Sequence, residues 1–372
     1  MKKEQIKTAK FGGSSLADAV HFRKGKELVE ADPARRYIVP SAPGRRSPED
    51  EKVTDLLYRC YQEASSGADY HNSMEKIRKR YQDIIDELSL NVSLDAQFEK
   101  ITQAFLGRAG EEYAASRGEY LNAILLAAFL GYEFVKNIRC AVIPGFYGAD
   151  DAGNIHTFSR GGSDVSGALV ARAVSADLYE NWTDVSGFLL ADPSIICDPK
   201  KIHAMTFGEL RELSYRGASV LHEEAVFPVR REGIPIQIRN TNDPADPGTI
   251  IRRQLSAAEE VPITGIAGKK EFAAISIAKN CMNSEIGFIK KLLEAFEENK
   301  ISFEHLPSGI DTVSVILPRV EYEEKKDAIM ASLRRLLDPD KIEVDTDLAL
   351  VTVVGRGMRS VSGIAATFFT CL

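Results

Sequence analysis

A layered α/β domain with a largely parallel sheet, followed by smaller ferredoxin-like α+β regulatory units, is the architecture this sequence predicts. Three observations carry it. Short apolar strands alternate with amphipathic helices over the first portion of the chain. From Ile263 the order changes to βαββα. Part of that pattern then returns, with Ile275, Ile277, Met282 and Gly287 recurring as Val351, Val353, Met358 and Gly363 at one constant spacing. The boundaries implied are a first domain over 1–252, a linker near Gln254 to Pro262, one small unit over 263–341 and an incomplete second unit over 342–372.

In chain order, Lys7 to Phe11 reads as a buried strand running into Gly12, Gly13, Ser14 and Ser15, with a helix after it. A strand ending in glycines at a helix start makes a nest of backbone N–H groups suited to phosphate. Without GxxxxGK[ST] this is no Walker loop, and a flexible turn is the plainer reading. Lys10, at the strand's end, adds an ammonium able to offset charge on a transferring phosphoryl group. Tyr37 to Pro40 is a second strand, leading to Ser41 and the loop through Arg46. Val53, Leu56, Leu57, Cys60 and Ala64 then keep helical spacing, which places Thr54 at a helix start. Met74 to Leu88 is another amphipathic helix, and Glu119 is expected in the first turn of the helix that follows Gly118.

Ala141 to Ile143 is a strand that leads to the segment carrying most of the chemistry. Arg160, Gly161, Gly162, Ser163 and Asp164 place a guanidinium, small backbone and an acid at a helix start, and Thr183-Asp184 ends the next strand. Ligands in parallel α/β sheets gather at the carboxyl ends of strands, so Lys10, Ser41, Arg160 and Thr183-Asp184 are able to converge. Phe207 to Tyr215 is helical and Ile234 to Ile238 is the last strand of the domain. In the second portion, strands at Ala273 to Ala278, Ile301 to His305 and Val313 to Leu317 surround a helix around Phe288 to Phe296, and a further helix spans Glu321 to Leu337.

Composition narrows the function class. The chain has 372 residues, a formal net charge of -7, 44% hydrophobic and 27% charged residues, which fits a globular protein of two or three domains. An acidic balance argues against a nucleic-acid partner. No apolar run reaches membrane-spanning length, and the N-terminus shows no secretory signal. Five scattered cysteines without a CxxC pair fit a reducing cytoplasm, and no His, Cys or acid spacing indicates a metal framework.

With Lys-Phe-Gly-Gly-Ser-Ser at 10–15, Lys-Val-Thr-Asp-Leu-Leu at 52–57, Gly-Glu at 118–119, Ser-Arg-Gly-Gly-Ser-Asp at 159–164, Thr-Asp-Val-Ser-Gly at 183–187 and Ala-Asp-Pro at 191–193, the chain resembles the aspartokinases over essentially its whole length. Glu304 to Asp311 is most similar to the lysine-sensitive, single-function type. The resemblance implies an amino-acid kinase fold followed by ACT-type regulatory units. It implies transfer of a phosphoryl group from MgATP to the side-chain carboxylate of L-aspartate, giving 4-phosphoaspartate, with feedback by an amino acid, lysine foremost. It further implies a cytoplasmic homodimer or higher homo-oligomer.

Residue by residue, the resemblance makes Lys10 the bridge between phosphoryl group and acceptor, with Asp164 beside it. Gly12, Gly13 and Ser14 would cradle phosphate, and Thr183 and Asp184 would meet the nucleotide. Arg160 would clamp the substrate α-carboxylate and Glu119 its α-ammonium. Ser41, Thr54, Gly161, Gly162 and Ser163 would surround the acceptor. Met282, Asn283, Ser284, Gly287, Phe303 and Glu304 would form the effector pocket. Leu189, Ser194 and Ser219 depart from the family pattern on the nucleotide side. Two other readings stand beside this one: a related kinase acting on glutamate, and a catalytically silent amino-acid sensor.

Overall fold

The computed structural model describes residues 4–134, 140–158, 161–215, 221, 226–259, 261–356, 358 and 361–371. By internal contacts the chain divides into two units, one of 1–265 with 354–372 and one of 266–353.

The first unit runs β1 (Lys7–Phe11), α1 (Ala19–Glu30), β2 (Arg35–Pro40), α2 (Val53–Ser66), α3 (His71–Glu87), α4 (Asp95–Leu106), α5 (Glu111–Leu130), β3 (Glu133–Phe134), β4 (Ala141–Val142), β5 (Tyr147–Ala149), β6 (Ile155–Thr157), α6 (Gly162–Ala173), β7 (Leu178–Thr183), β8 (Phe188–Leu189), β9 (Lys201–Ile202), β10 (Ala204–Thr206), α7 (Phe207–Tyr215), α8 (Val226–Glu232), β11 (Ile236–Asn240) and β12 (Thr249–Arg252). Eight of these strands form one sheet in the order β10-β12-β11-β7-β1-β2-β4-β3. The six from β11 to β3 are mutually parallel, while β12 pairs antiparallel to β11 and carries β10 with it.

After β1 the chain builds outward on one side through β2, β4 and β3, then on the other through β7 and β11. Strand order therefore reverses beside β1, and the crevice left at such a reversal, outside the carboxyl ends of the strands, is where these sheets hold ligands. Lys10 stands next to that end.

Alternation along β1 and β7 decides what each face does. Ala9, Phe11 and Trp182 enter the main core with Leu16, Phe22, Ile38 and the apolar faces of α2 to α5. Glu180, on the same face as Trp182, is fully buried and held by both Arg35 Nε at 2.6 Å and Arg35 Nη2 at 3.1 Å, and the Trp182 indole donates to it at 2.9 Å. Lys10 and Asn181, register partners on the two strands, point the other way, toward α6. Tyr179 does the same and donates to the Asp164 carbonyl at 3.0 Å.

Two expectations are corrected. Gly118 does not begin a helix: α5 starts at Glu111, so Glu119 is a buried mid-helix acid. Glycine is needed at 118 because a Cβ there would come within 2.7 Å of the Ala42 Cβ. The other correction concerns 301–305, where no strand forms and only an isolated bridge joins His305 to Ile316.

The second unit contains β13 (Gly265–Ala278), α9 (Phe288–Glu298), β14 (Thr312–Pro318), α10 (Arg319–Leu337) and β15 (Lys341–Val354), with α11 (Ile364–Cys371) after it. Its sheet order is β14-β13-β15, over a core of Ile275, Ile277, Phe288, Leu292, Phe296, Val313, Val315, Ile329 and Leu333. Residue 342, where the sequence suggests a further regulatory unit begins, lies inside β15, the third strand of this sheet. The internal repeat is visible in the turns: Gly287 (φ 85°) and Gly363 (φ 90°) each stand in the left-handed region immediately before a helix.

Candidate active site

At the carboxyl end of β1, Lys10 is only 8% exposed. Its Nζ lies 2.6 Å from Asp164 Oδ1 and 3.4 Å from Asn181 Oδ1, and Asn181 Nδ2 donates to Asp164 Oδ1 at 3.0 Å. Both contacts to Asp164 fall on Oδ1, leaving Oδ2 outside them. Asp164 is placed by the first turn of α6, where its N–H donates to Gly161 O at 2.8 Å. Asn181 was not among the residues expected from sequence. The signal that finds it is register: it is the β7 residue directly beside Lys10, and two strand positions from Thr183.

Gly12 and Gly13 lie where backbones approach each other closely. Gly12 N–H donates to Trp182 O at 2.9 Å, and a Cβ on Gly12 would stand 3.7 Å from Lys10 Nζ. Gly44 N–H donates to Gly13 O at 2.8 Å. A Cβ on Gly13 would meet Ala42 O at 2.9 Å, and one on Gly44 would meet Gly13 C at 2.6 Å. The loop after β1, with half-buried Ser14, is therefore locked to the loop after β2. Ser41 joins the same junction, its N–H donating to Phe11 O at 2.9 Å and its carbonyl accepting from Asn122 Nδ2 at 2.7 Å.

Facing that junction, α5 supplies Glu119, 5% exposed. Burial pushes its carboxyl up to about 8, although the Ala42 and Glu119 backbone N–H groups and the Arg117 charge favour ionisation. Among the described residues, neither Glu119 Oε2 nor Asn122 Oδ1 has a hydrogen-bond partner. Two buried acceptors without donors, one turn apart on a helix, suit a small ligand that brings several N–H groups.

Ser163 is buried in the first turn of α6, where a Cβ on Gly145 would meet its Oγ at 2.8 Å. Gly162 lies against Phe146, and Gly161 adopts φ 74° before the helix. Thr54 is half-buried at the second residue of α2. Thr183 Oγ1 donates to Asp184 Oδ1 at 3.1 Å; the Thr183 carbonyl accepts from Thr241 N and Thr241 Oγ1, both at 2.9 Å. Ser15 Oγ then meets Thr241 Oγ1 at 3.0 Å, tying this loop to the β1 loop. Asp184 and Leu189 are exposed, and Ser194 bonds locally to Asp192. Arg160 and Ser219 lie outside the described residues.

In the second unit a pocket of about 290 Å³ is lined by Met282, Asn283, Glu285, Gly287, Phe288, Ile289, Lys290, Ser308 and Gly309. Of the six effector residues expected from sequence, Met282, Asn283 and Gly287 line it. Ser284, Phe303 and Glu304 do not; Phe303 instead stacks edge-on against Phe296 at 5.9 Å. Among the described residues, no group of three or more His, Cys, Asp or Glu is placed to hold a metal, and no helix is long and apolar enough to cross a membrane.

The pattern of the amino acid kinase family matches residues 6–240. Over 97% of its length the chain is 37% identical to aspartokinase 3 of Bacillus subtilis, covering 88% of that relative. Among solved structures it is similar to Clostridium acetobutylicum aspartate kinase at TM-score 0.91 and 45% identity, covering 99% of this chain and 91% of that one. It shares its fold with E. coli aspartokinase III in complex with aspartate and ADP, at TM-score 0.71 and 22% identity, covering 98% of this chain and 91% of that one.

Proposed function

The chain belongs to the amino acid kinase family and, within it, to the aspartokinases; from that premise we propose that the crevice at β1 transfers the γ-phosphoryl group of ATP to the side-chain carboxylate of L-aspartate, giving 4-phospho-L-aspartate. The observation that carries the assignment of the amino-acid subsite is the pair of acceptors without a partner among the described residues, Glu119 Oε2 and Asn122 Oδ1. An α-ammonium supplies three donors and a positive charge, so it satisfies both oxygens and ionises Glu119.

Bringing a carboxylate against a polyphosphate sets negative charge against negative charge, and the residues at the strand ends answer that repulsion. Lys10 places an ammonium between donor and acceptor, oriented by Asp164 and Asn181. Gly13 and Ser14 offer backbone N–H groups to phosphate, while Gly12, whose own N–H is taken by Trp182 O at 2.9 Å, adds no Cβ beside Lys10. Asp164 Oδ2, outside the Lys10 contact, fits a second cation, Mg²⁺ carried on the nucleotide phosphates. When bound, that ion supplies charge neutralisation. Thr183 and Asp184 face the nucleotide, while Ser41, Thr54, Gly161, Gly162 and Ser163 enclose the acceptor.

Arg160 takes the substrate α-carboxylate through its planar fork. Arg160→Ala is therefore expected to raise the aspartate Kd roughly 10- to 100-fold, as for a lost charge-assisted hydrogen bond, and to leave ATP affinity unchanged. Isothermal titration of each ligand separates the two; unchanged aspartate affinity overturns the role. The substrate itself is checked by phosphoryl transfer from radiolabelled ATP to aspartate and to glutamate side by side, and a preference for glutamate overturns the aspartate assignment.

The Met282–Gly309 pocket takes an amino-acid effector, L-lysine, and a homodimer joined through its regulatory units couples that site to catalysis. Asn283→Ala is expected to raise the lysine concentration for half-inhibition by roughly 3- to 10-fold, the worth of one hydrogen bond. Inhibition curves with lysine and with threonine test both the site and the ligand. The scattered cysteines without a CxxC pair suit a reducing compartment, and the enzyme is assigned to the cytoplasm.

A further inference from the structure

We propose that α3, which contributes no residue to the crevice, positions its acceptor side through two consecutive side chains, Arg80 and Tyr81. Arg80 has a side chain only 4% exposed. Its Nη2 donates to the Gly44 carbonyl and its Nη1 pairs with Asp50. Gly44 in turn donates to Gly13 O at 2.8 Å, so one guanidinium holds the junction of the β1 and β2 loops from behind. Asp50 is fixed on both sides, since Arg46 N donates to it at 2.9 Å and Arg46 Nε at 3.0 Å. Burial alone would push the Asp50 carboxyl up, but the Arg46 and Arg80 bonds outweigh it and hold it below the ordinary carboxylate range.

Tyr81, fully buried, donates its hydroxyl to Gly118 O at 2.8 Å, the residue before Glu119. A Cβ on Gly118 would also come within 2.7 Å of the Ala42 Cβ. The two side chains therefore brace the two walls of one subsite: Arg80 the loop carrying Ser41 to Gly44, Tyr81 the helix carrying Glu119 and Asn122. A fork is required at 80 because one planar group meets a carbonyl and a carboxylate at once; an ammonium offers no such fixed geometry. Reactions between held groups lose about 100-fold in rate for displacements near 1 Å, so loosening this brace acts on turnover more than on ground-state binding.

The inference rests on the site assignment above, and the experiment separates the two. Arg80→Ala and Arg80→Lys are assayed well below their melting temperatures beside Lys10→Met. The expected result for Arg80→Ala is a kcat about 10- to 100-fold down, KM for ATP and aspartate within about threefold, and partial recovery on adding millimolar guanidinium. Arg80→Lys folds without its fork and shows the same kcat loss if the alanine variant is too unstable to assay. Gly44→Ala perturbs the same junction from its other side, so the Arg80→Ala, Gly44→Ala double variant is expected to lose little more than either single one. Tyr81→Phe is expected to lower kcat as well, with the aspartate and ATP KM values within about threefold. Full kcat in a folded Arg80 variant, or strictly additive losses with Gly44→Ala, overturns the positioning role. If Lys10→Met is also fully active, the site assignment itself falls.

Discussion

Replacing Lys10 by methionine is expected to lower kcat by roughly 100- to 1,000-fold, the cost of removing one well-placed charge-stabilising donor from a transition state. The KM values for ATP and aspartate should change far less, since neither ligand depends on Lys10 alone for its ground-state hold. The same substitution also strips a nearly buried carboxylate of its cation: Asp164 and Lys10 side chains are 13% and 10% exposed and 2.6 Å apart. Breaking a buried pair from one side costs about 3 to 5 kcal/mol, so the single variant is expected to melt at a lower temperature. Lys10→Met with Asp164→Asn removes both charges at nearly constant shape. That double variant should regain most of the lost stability and none of the lost kcat. Recovery of kcat together with stability would make Lys10 a structural cation only. Retained low kcat in a stable protein assigns it to the chemistry.

The parts of this site that were legible in the sequence are those where chemistry and chain geometry coincide locally. Lys10 followed by Gly12 and Gly13 announces a strand end and a nest in six residues, and Arg160 to Asp164 places an acid at a helix start in the same way. Asn181 is invisible to that reading, because its importance arises from parallel register with Lys10, 171 positions away. Arg80 is less visible still, since an arginine in an amphipathic helix looks like a solvated residue until the Gly44 loop is found beneath it. Resemblance points to Glu119 but not to its depth: Gly118 looks like a helix breaker, whereas it packs against Ala42 inside a 20-residue helix. In the second unit, apolar alternation located β13 and β14 but not which later segment would close their sheet. The stretch 301–305 keeps its one bridge to Ile316, and β15 takes the strand position. Periodicity fixes what a segment can be; partner choice across a sheet is a tertiary matter.

Glu119 is expected to make aspartate binding depend on pH, with a sign that geometry dictates. Burial raises its carboxyl to about 8, so in the free enzyme at pH 7 only roughly a tenth of it is ionised. An α-ammonium binds the ionised form, and the apparent affinity is reduced by the fraction not competent to bind. Aspartate binding should therefore release close to one proton at pH 7, and its affinity should strengthen close to tenfold per pH unit up to about 8 and level off above it. Calorimetric titrations in buffers of different ionisation enthalpy count that proton directly. Glu119→Gln removes the titration: aspartate affinity falls by roughly 10- to 100-fold, as for a lost charge-assisted bond, and the remaining affinity no longer follows this pH curve. A proton count near zero in the unaltered enzyme overturns the assignment. Stability carries the opposite sign. A folded-state value above the ordinary 4.5 favours the neutral acid, so that contribution is complete below about 4.5 and is lost as pH rises through about 8. The free enzyme should lose melting temperature across that range, Glu119→Gln should lose less, and saturating aspartate should restore the unaltered enzyme alone. The carboxyl that costs the empty protein stability at alkaline pH is then the one its substrate's ammonium ionises, which is why its Oε2 has no hydrogen-bond partner among the described residues.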